Sequence, residues 1–293
     1  MKIKYFPVCI VLMTITISYF LLNAFFYKNS NDSVIYLGIK DKNGWTDDLN
    51  LFRVPFKWES GTWVAMPNFF STHKFENMTW VKLPANTRYP EVLTFPPSIV
   101  VTKKNGAGFM SRDGAYELPS DHILSTPVLS TNPGVVPKKA TYGVPTDTEK
   151  QKIAPLLKAK VPTYTRADKN EKPIGKVELH LKDFIFKKIN VDGYTFVSAS
   201  LNRDLFELVF YEGYFEPNGQ GSNPTGEFIS HWYAIINNIP VFLGTGLEFL
   251  ECADYANNNT SQFIFRISGY NRDGYRLFYN DFKDHVDFTW CYH

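Results

Sequence analysis

The chain reads as all-β, an antiparallel β-rich protein preceded by one N-terminal transmembrane helix. Three observations carry this reading. Aromatic residues make up 16% of the 293 positions, with 25 Phe and 17 Tyr, and such side chains favour strands. Apolar runs of about five residues end repeatedly at Gly, Pro or Asn, the punctuation of short antiparallel strands. Finally, the 23 residues from Tyr5 to Tyr27 carry no charge and follow Lys2 and Lys4.

That first stretch is long enough to cross ~30 Å of hydrocarbon at ~1.5 Å per residue. A cleaved secretory signal has the same basic start but a shorter apolar core, ~7–15 residues, and a small-residue cleavage site. Leu22-Asn23-Ala24 followed by Phe25-Phe26 matches that site poorly. Residues 1–28 are therefore read as a signal anchor, with Lys2 and Lys4 holding the N-terminus in the cytoplasm. The expected location is a bacterial inner membrane, crossed once, with the bulk of the chain in the periplasm. Cleavage would leave a secreted or periplasmic protein instead.

Beyond the anchor, 28 basic residues face 29 acidic ones. A near-neutral exterior argues against nucleic acid as a partner, because phosphate binding needs a basic patch. The remaining length, roughly 265 residues, suffices for one or two cores.

Residues 34–118 read as an N-terminal β-unit. Val34–Ile39, Leu49–Val54, Thr62–Met66 and Thr79–Leu83 are strand-like, the last three ending at Pro55, Pro67 and Pro84. Residues 119–173 differ, with eight prolines between Pro119 and Pro173 and no alternation. They read as a Pro-rich connection containing a short helix, opened by the capping box Thr146-Asp-Thr-Glu149 and interrupted at Pro155.

Residues 174–293 read as a C-terminal β-unit. Val177–Phe186 meets Tyr194–Ser198 across Asp192-Gly193, a tight hairpin signal. Leu205–Tyr211, Phe228–Ile236 and Pro240–Leu243 follow. An apolar strand then enters Asp254-Tyr-Ala-Asn-Asn-Asn-Thr-Ser-Gln262, strand Phe263–Ile267 leaves it, and Asn271-Arg-Asp-Gly274 is a second hairpin signal joining the last two strands.

The loop at 254–262 has the outline of a calcium site. Calcium takes six to eight oxygen ligands, several of them carboxylates at alternate loop positions. Asp254 and Asn258 can supply oxygens, Ala256 supplies none, and Gln262 is neutral where Glu would close the site. The expectation is no metal and no other cofactor, with an Asx turn holding the loop. The run Leu247–His293 resembles the FG-GAP/VCBS-type repeats of β-propellers, in a form met in uncharacterised bacterial proteins. Those carry an Asp-x-Asp-x-Asp-Gly-x-x-Glu-like loop between two strands, and their first acidic position falls on Asp254. The resemblance implies a propeller-like, non-catalytic exterior module; read from the strands alone, the units are propeller-like or sandwich units.

Cys252 and Cys291 are the only cysteines beyond the anchor. In an oxidising compartment they form either a disulfide or two reduced buried thiols. Catalytic patterns are missing: no Gly-x-Ser-x-Gly, His-Glu-x-x-His or Cys-x-x-Cys occurs, and His122, His231 and His293 stand singly. Most tryptophans are expected in the core, whereas Tyr214, Phe215 and Tyr270, beside Gly-rich loops, are the candidate binding residues. The function expected is that of an envelope binding or structural module, contacting protein or glycan. The rivals are an envelope hydrolase, drawing on carboxylates such as Glu207, Glu212, Glu227 and Asp254, and a toxin-neutralising or inhibitor protein.

Overall fold

The computed structural model describes residues 34–41, 51–66, 79–82, 91–94, 115–117, 128–132, 134–160, 164–167, 173–177, 180–201, 230–269 and 272–291. The anchor segment, Trp45, Leu205–Tyr211, Tyr214, Phe215 and Tyr270 lie outside them. No helix among the described residues is long and apolar enough to cross a membrane.

The all-β reading holds. Strands β1 (Ile35–Asp41), β2 (Leu51–Glu59), β3 (Thr62–Ala65), β4 (Thr79–Lys82), β5 (Glu91–Thr94), β6 (Ala115–Glu117) and β7 (Val128–Ser130) form an N-terminal sheet in the order β3-β2-β1-β7-β4-β5, with β6 also on β2. A second sheet takes β8 (Thr141–Gly143), β11 (Phe184–Val191), β12 (Tyr194–Leu201), β13 (His231–Ile236) and β14 (Ile239–Thr245) in the order β14-β13-β12-β11-β8. Four strands, β15 (Leu247–Ala253), β16 (Gln262–Gly269), β17 (Arg272–Tyr279) and β18 (Asp284–Cys291), make an up-and-down third sheet. A separate ribbon pairs β9 (Tyr164–Ala167) with β10 (Pro173–Val177). Among the described residues there is one α-helix, α1, spanning Asp147–Lys160.

Alternation along β15–β18 decides how the layers stack. Phe249, Phe263, Phe265 and Phe278 pack with Phe196, Trp232 and Leu243 of the second sheet. Ile264, Tyr275, Leu277, Phe288 and Trp290 point the other way, onto Leu37, Ile39, Phe56 and Trp63 of the N-terminal sheet. The β15–β18 sheet is thus buried on both faces. On the far side of the second sheet, Ile153 and Leu157 of α1 pack on Val197, Ala199 and Tyr233. The order is N-terminal sheet, β15–β18, second sheet, helix.

Several sequence expectations are revised by packing. Pro55 does not end β2, which continues to Glu59. The β1–β2 register shifts between Leu37 and Ile39, so Pro55 sits at a bulge where no ladder N–H is needed, and its carbonyl accepts from Met66 N at 2.8 Å. Pro155 does not interrupt α1 either. It lies on the exposed side, so the carbonyl it leaves unpaired faces water, while buried Ile153 and Leu157 anchor the helix across it. The capping box is present: Thr146 N donates to Glu149 Oε2 at 2.7 Å and Glu149 N to Thr146 Oγ1 at 3.2 Å.

Residues 119–173 are more than a connection, since they supply β7 to the N-terminal sheet, β8 and α1 to the second, and the ribbon strand β9. Between β7 and β8 the chain runs along edge strand β15 and the loop that follows it: Lys138 N donates to Cys252 O at 2.8 Å and Asn132 Nδ2 to Tyr255 O at 3.1 Å. An open edge is covered in this way.

Asp192-Gly193 forms the expected hairpin, with φ of 49° and 79°. The second hairpin signal is misplaced by the sequence reading. Arg272–Gly274 belong to β17 itself, and β17 meets β18 through Asn280–Lys283, where Asn280, Asp281 and Phe282 all take positive φ. Gly274 is a strand glycine for a packing reason: a Cβ there would lie 2.3 Å from Phe288 O.

Candidate functional site

The 254–262 loop folds on its own side chains. Asp254 Oδ1 and Oδ2 accept from the backbone N–H of Asn258 and Asn259 at 3.0 and 2.8 Å, and Asn258 Oδ1 accepts from Thr260 N and Oγ1 at 3.1 and 2.6 Å. Gln262, almost fully buried, accepts from Tyr255 N (2.7 Å) and Ala256 N (3.2 Å) and donates to Thr260 O (2.7 Å). A neutral amide suits this position because it must both accept and donate. The side-chain oxygens of Asp254, Asn258 and Gln262 are thus engaged with the loop itself, as nested Asx turns require. Among the described residues no group of three or more His, Cys, Asp and Glu is placed to hold a metal.

The disulfide is corrected by register. Cys252 pairs with Phe263, which pairs with Phe278, which pairs with His285. Cys291 lies on the same strand as His285, six residues further along. Three inter-strand steps of ~4.8 Å and six residues of ~3.3 Å separate the two cysteines, far beyond the ~7 Å limit for bridging. Cys252 is a free, buried thiol, pushed up to about 12 by burial, an effect opposed by a hydrogen bond with Ser261. Around it Ser261 Oγ donates to Asp192, whose carboxylate also meets Lys138 Nζ at 3.4 Å. This cluster ties the β11–β12 turn to the 254–262 loop, and the thiol's high pKa makes it a poor nucleophile.

The remaining expected features fall in two groups. Tyr214, Phe215 and Tyr270 lie outside the described residues, as do Glu207, Glu212, Glu227, His122 and His293. His231 is buried, with its ring 6.4 Å from that of Phe242. Trp63, Trp232 and Trp290 are core residues, as expected.

What the structure adds is a cleft of ≈470 Å3 where the second and third sheets join. It is lined by Lys160, Phe242, Gly244, Thr245, Leu247, Ile267, Ser268 and Arg276. Strand β14 becomes β15 across the single residue Gly246, so one continuous stretch switches sheets. Gly246 N donates to Ser230 O at 2.9 Å and Gly246 O accepts from Ser268 N at 2.8 Å, one bond into each sheet. The corner requires glycine twice. Gly244 has φ 145° and Gly246 φ 63°, and a Cβ on Gly246 would lie 2.2 Å from Ser268 O.

Arg276 closes the floor of the cleft. Its Nε and Nη2 donate to the two carboxylate oxygens of Asp287, each at 2.6 Å, and Nη1 donates to Leu243 O at 2.8 Å. The bidentate fork fixes the guanidinium plane. The second cation of the lining is Lys160, in the last turn of α1, with Nζ 5.1 Å from the centre of the Phe242 ring. No carboxylate among the described residues pairs with it. The lining therefore carries two cations, is rich in donors, and is apolar at Phe242, Leu247 and Ile267.

Sequence reasoning missed this site. The available signals were Gly244-Thr-Gly246 between two strand runs, and an arginine and an aspartate at positions that prove cross-strand neighbours, Arg276 and Asp287.

No family model matches the chain, and no curated protein or solved structure matches it.

Proposed function

We propose that this protein is a non-catalytic binding module, held outside the cytoplasm of a bacterial cell by its N-terminal segment, with the cleft at the β14–β15 corner as its recognition site. The observation that carries the reading is the cleft's lining: two cations, two hydroxyls and three apolar side chains, with neither a carboxylate nor a histidine among them. Such a set holds a ligand by charge and shape and contains no carboxylate or imidazole to pair with a nucleophile. The volume lies in the range of small-molecule sites. The rigid stack beneath it also suits recognition, since a site on paired strands is held more closely than one on loops.

The resemblance of residues 247–293 to an FG-GAP/VCBS-type unit belongs to this proposal. In its favour are the four-stranded meander β15–β18 and the loop at Asp254, whose shape persists through Asx turns. So does the exterior placement, which rests on the uncharged run Tyr5–Tyr27 behind Lys2 and Lys4.

Two measurements test the proposal. A periplasm-dependent reporter fused after His293 should be active in a bacterial host, and an inactive reporter with an active N-terminal fusion would reverse the orientation. A fragment screen on the full chain by amide NMR should give shifts clustered at Thr245, Ile267 and Ser268. Hits concentrated elsewhere would remove the cleft as the site.

A further inference from the structure

We infer that the cleft takes a carboxylate presented on an apolar body, an inference that rests on the binding role proposed for the same site. Arg276 has five N–H groups, of which three are spent on Asp287 and Leu243 O, leaving one on Nη1 and one on Nη2. Lys160 brings an ammonium with three, and Thr245 a hydroxyl with no partner among the described residues. The other lining hydroxyl, on Ser268, is committed to Asp273 at 3.0 Å. Donors therefore far outnumber side-chain acceptors, and the matching ligand is an acceptor.

Charge sets the ligand's valence. The bidentate Asp287 cancels Arg276, so among the described residues Lys160 is the one cation of the lining without a carboxylate partner. One net positive charge suits a monoanion better than a phosphate dianion. A planar carboxylate also fits the two N–H groups left on the planar guanidinium. The remainder of the ligand meets Phe242, Leu247 and Ile267, a surface that rewards burial of aliphatic groups. Lys160 already stands over the Phe242 ring, so its charge lies beside the apolar wall rather than apart from it.

Two sources present this chemistry, a fatty acid and the C-terminus of a peptide. The test titrates the full-length chain, followed by ligand-observed NMR, with hexanoate and with an N-acetyl dipeptide ending in leucine. Each is compared with its own primary amide, and inorganic phosphate is run alongside. At least one acid should bind about tenfold more tightly than its amide, because only the acid makes charge-assisted hydrogen bonds. The acid preferred identifies the source. Lys160→Gln should weaken the acid about fivefold and leave the amide unchanged. That residue is exposed at the end of α1, so the variant should unfold at the wild-type midpoint.

Equal affinity of acid and amide, each mapped to the cleft, would overturn the anion inference and leave the binding site standing. Phosphate binding more tightly than both acids would overturn it in favour of a dianion site. Absence of binding by every probe would count against this inference, whereas fragment hits away from the corner would count against the cleft itself.

Discussion

The two faces of the β15–β18 sheet are built on different principles. Toward the second sheet the interface is mainly a cluster of aromatic rings, with the Arg276 hydrogen bond to Leu243 O at its edge. Phe265 alone has ring centres at 5.5–5.6 Å from Phe196, Trp232, Phe249 and Phe278, three of them edge-on at 74–88° and Phe196 at 70°. Toward the N-terminal sheet the interface is interspersed with polar groups. Arg53, 1% exposed, lays its guanidinium 3.9 Å from the centre of the Trp290 ring. Glu251 accepts from buried Tyr255 at 2.7 Å, and Asp273 accepts from Ser268 and meets Arg266 at 3.6 Å.

The difference is between non-directional and directional packing. A ring cluster stabilises through area and dispersion and tolerates some slippage. Buried charges and hydrogen bonds contribute less net stability but penalise any other alignment, because a misplaced partner leaves a desolvated polar group. The aromatic face therefore supplies stability through area. On the other face these polar pairs brace β15–β17 from within, and Arg53 over Trp290 is a polar contact that reaches the N-terminal sheet.

The comparison can be broken first at the aromatic face. Phe265→Ala should cost about 4 kcal/mol in chemical denaturation, from lost transfer energy and a cavity. Phe265→Leu should cost much less, about 1.5 kcal/mol. Equal losses would mean that ring geometry rather than volume holds this interface. Second, Gly246→Ala probes the corner that joins the two sheets on the aromatic side. The left-handed φ and the approach to Ser268 O together predict a loss of about 3 kcal/mol, and a change below 1 kcal/mol would show that the corner can open.

The polar face is sharpened by Arg53→Met, which keeps an unbranched buried chain and removes the charge. A loss of about 2 kcal/mol is expected, with the intrinsic fluorescence of Trp290 altered. A stabilised variant would show that desolvation outweighs the ring contact.

The smallest effect is read by alkaline titration. Burial raises the Cys252 thiol from 9.0 to about 12, so its folded pKa exceeds its unfolded one. Its contribution is complete below pH 9 and is lost as pH climbs from 9 toward 12, amounting to about 1.4 kcal/mol at pH 10. Cys252→Ala should flatten the denaturation midpoint between pH 9 and 10. Tyr255 on the opposite face, held well above 10 by burial and by Glu251, should add its own loss only above pH 10. Tyr255→Phe separates the two.

Much of the fold was legible because strand signals are local. The Asp192-Gly193 turn, the capping box at Thr146, and the strands around 247–253 and 262–269 follow from φ preference, hydrogen-bonding side chains and alternation within a few residues. The loop at Asp254 was legible for the same reason, as an Asx turn spans only a few residues. The breaks expected at Pro55 and Pro155 failed where a bulge and a solvent-facing helix side made the missing N–H harmless. Which cysteine alternative holds was illegible because two cysteines on strands of one sheet can lie at opposite corners, which only register reveals. The cleft was illegible because Lys160, Gly244 and Arg276 are brought together by stacking, although each is ordinary in its own segment.

The sequence by itself determined the antiparallel β class, the uncharged N-terminal run and the turn chemistry, since these depend on neighbours one to four residues apart. Tertiary structure alone decided that β15–β18 lies between two other sheets, that Arg53 meets Trp290, and that a cationic cleft opens where β14 turns into β15. Those outcomes depend on which apolar face finds which partner. That choice is made by packing complementarity across hundreds of residues, and no local pattern encodes it.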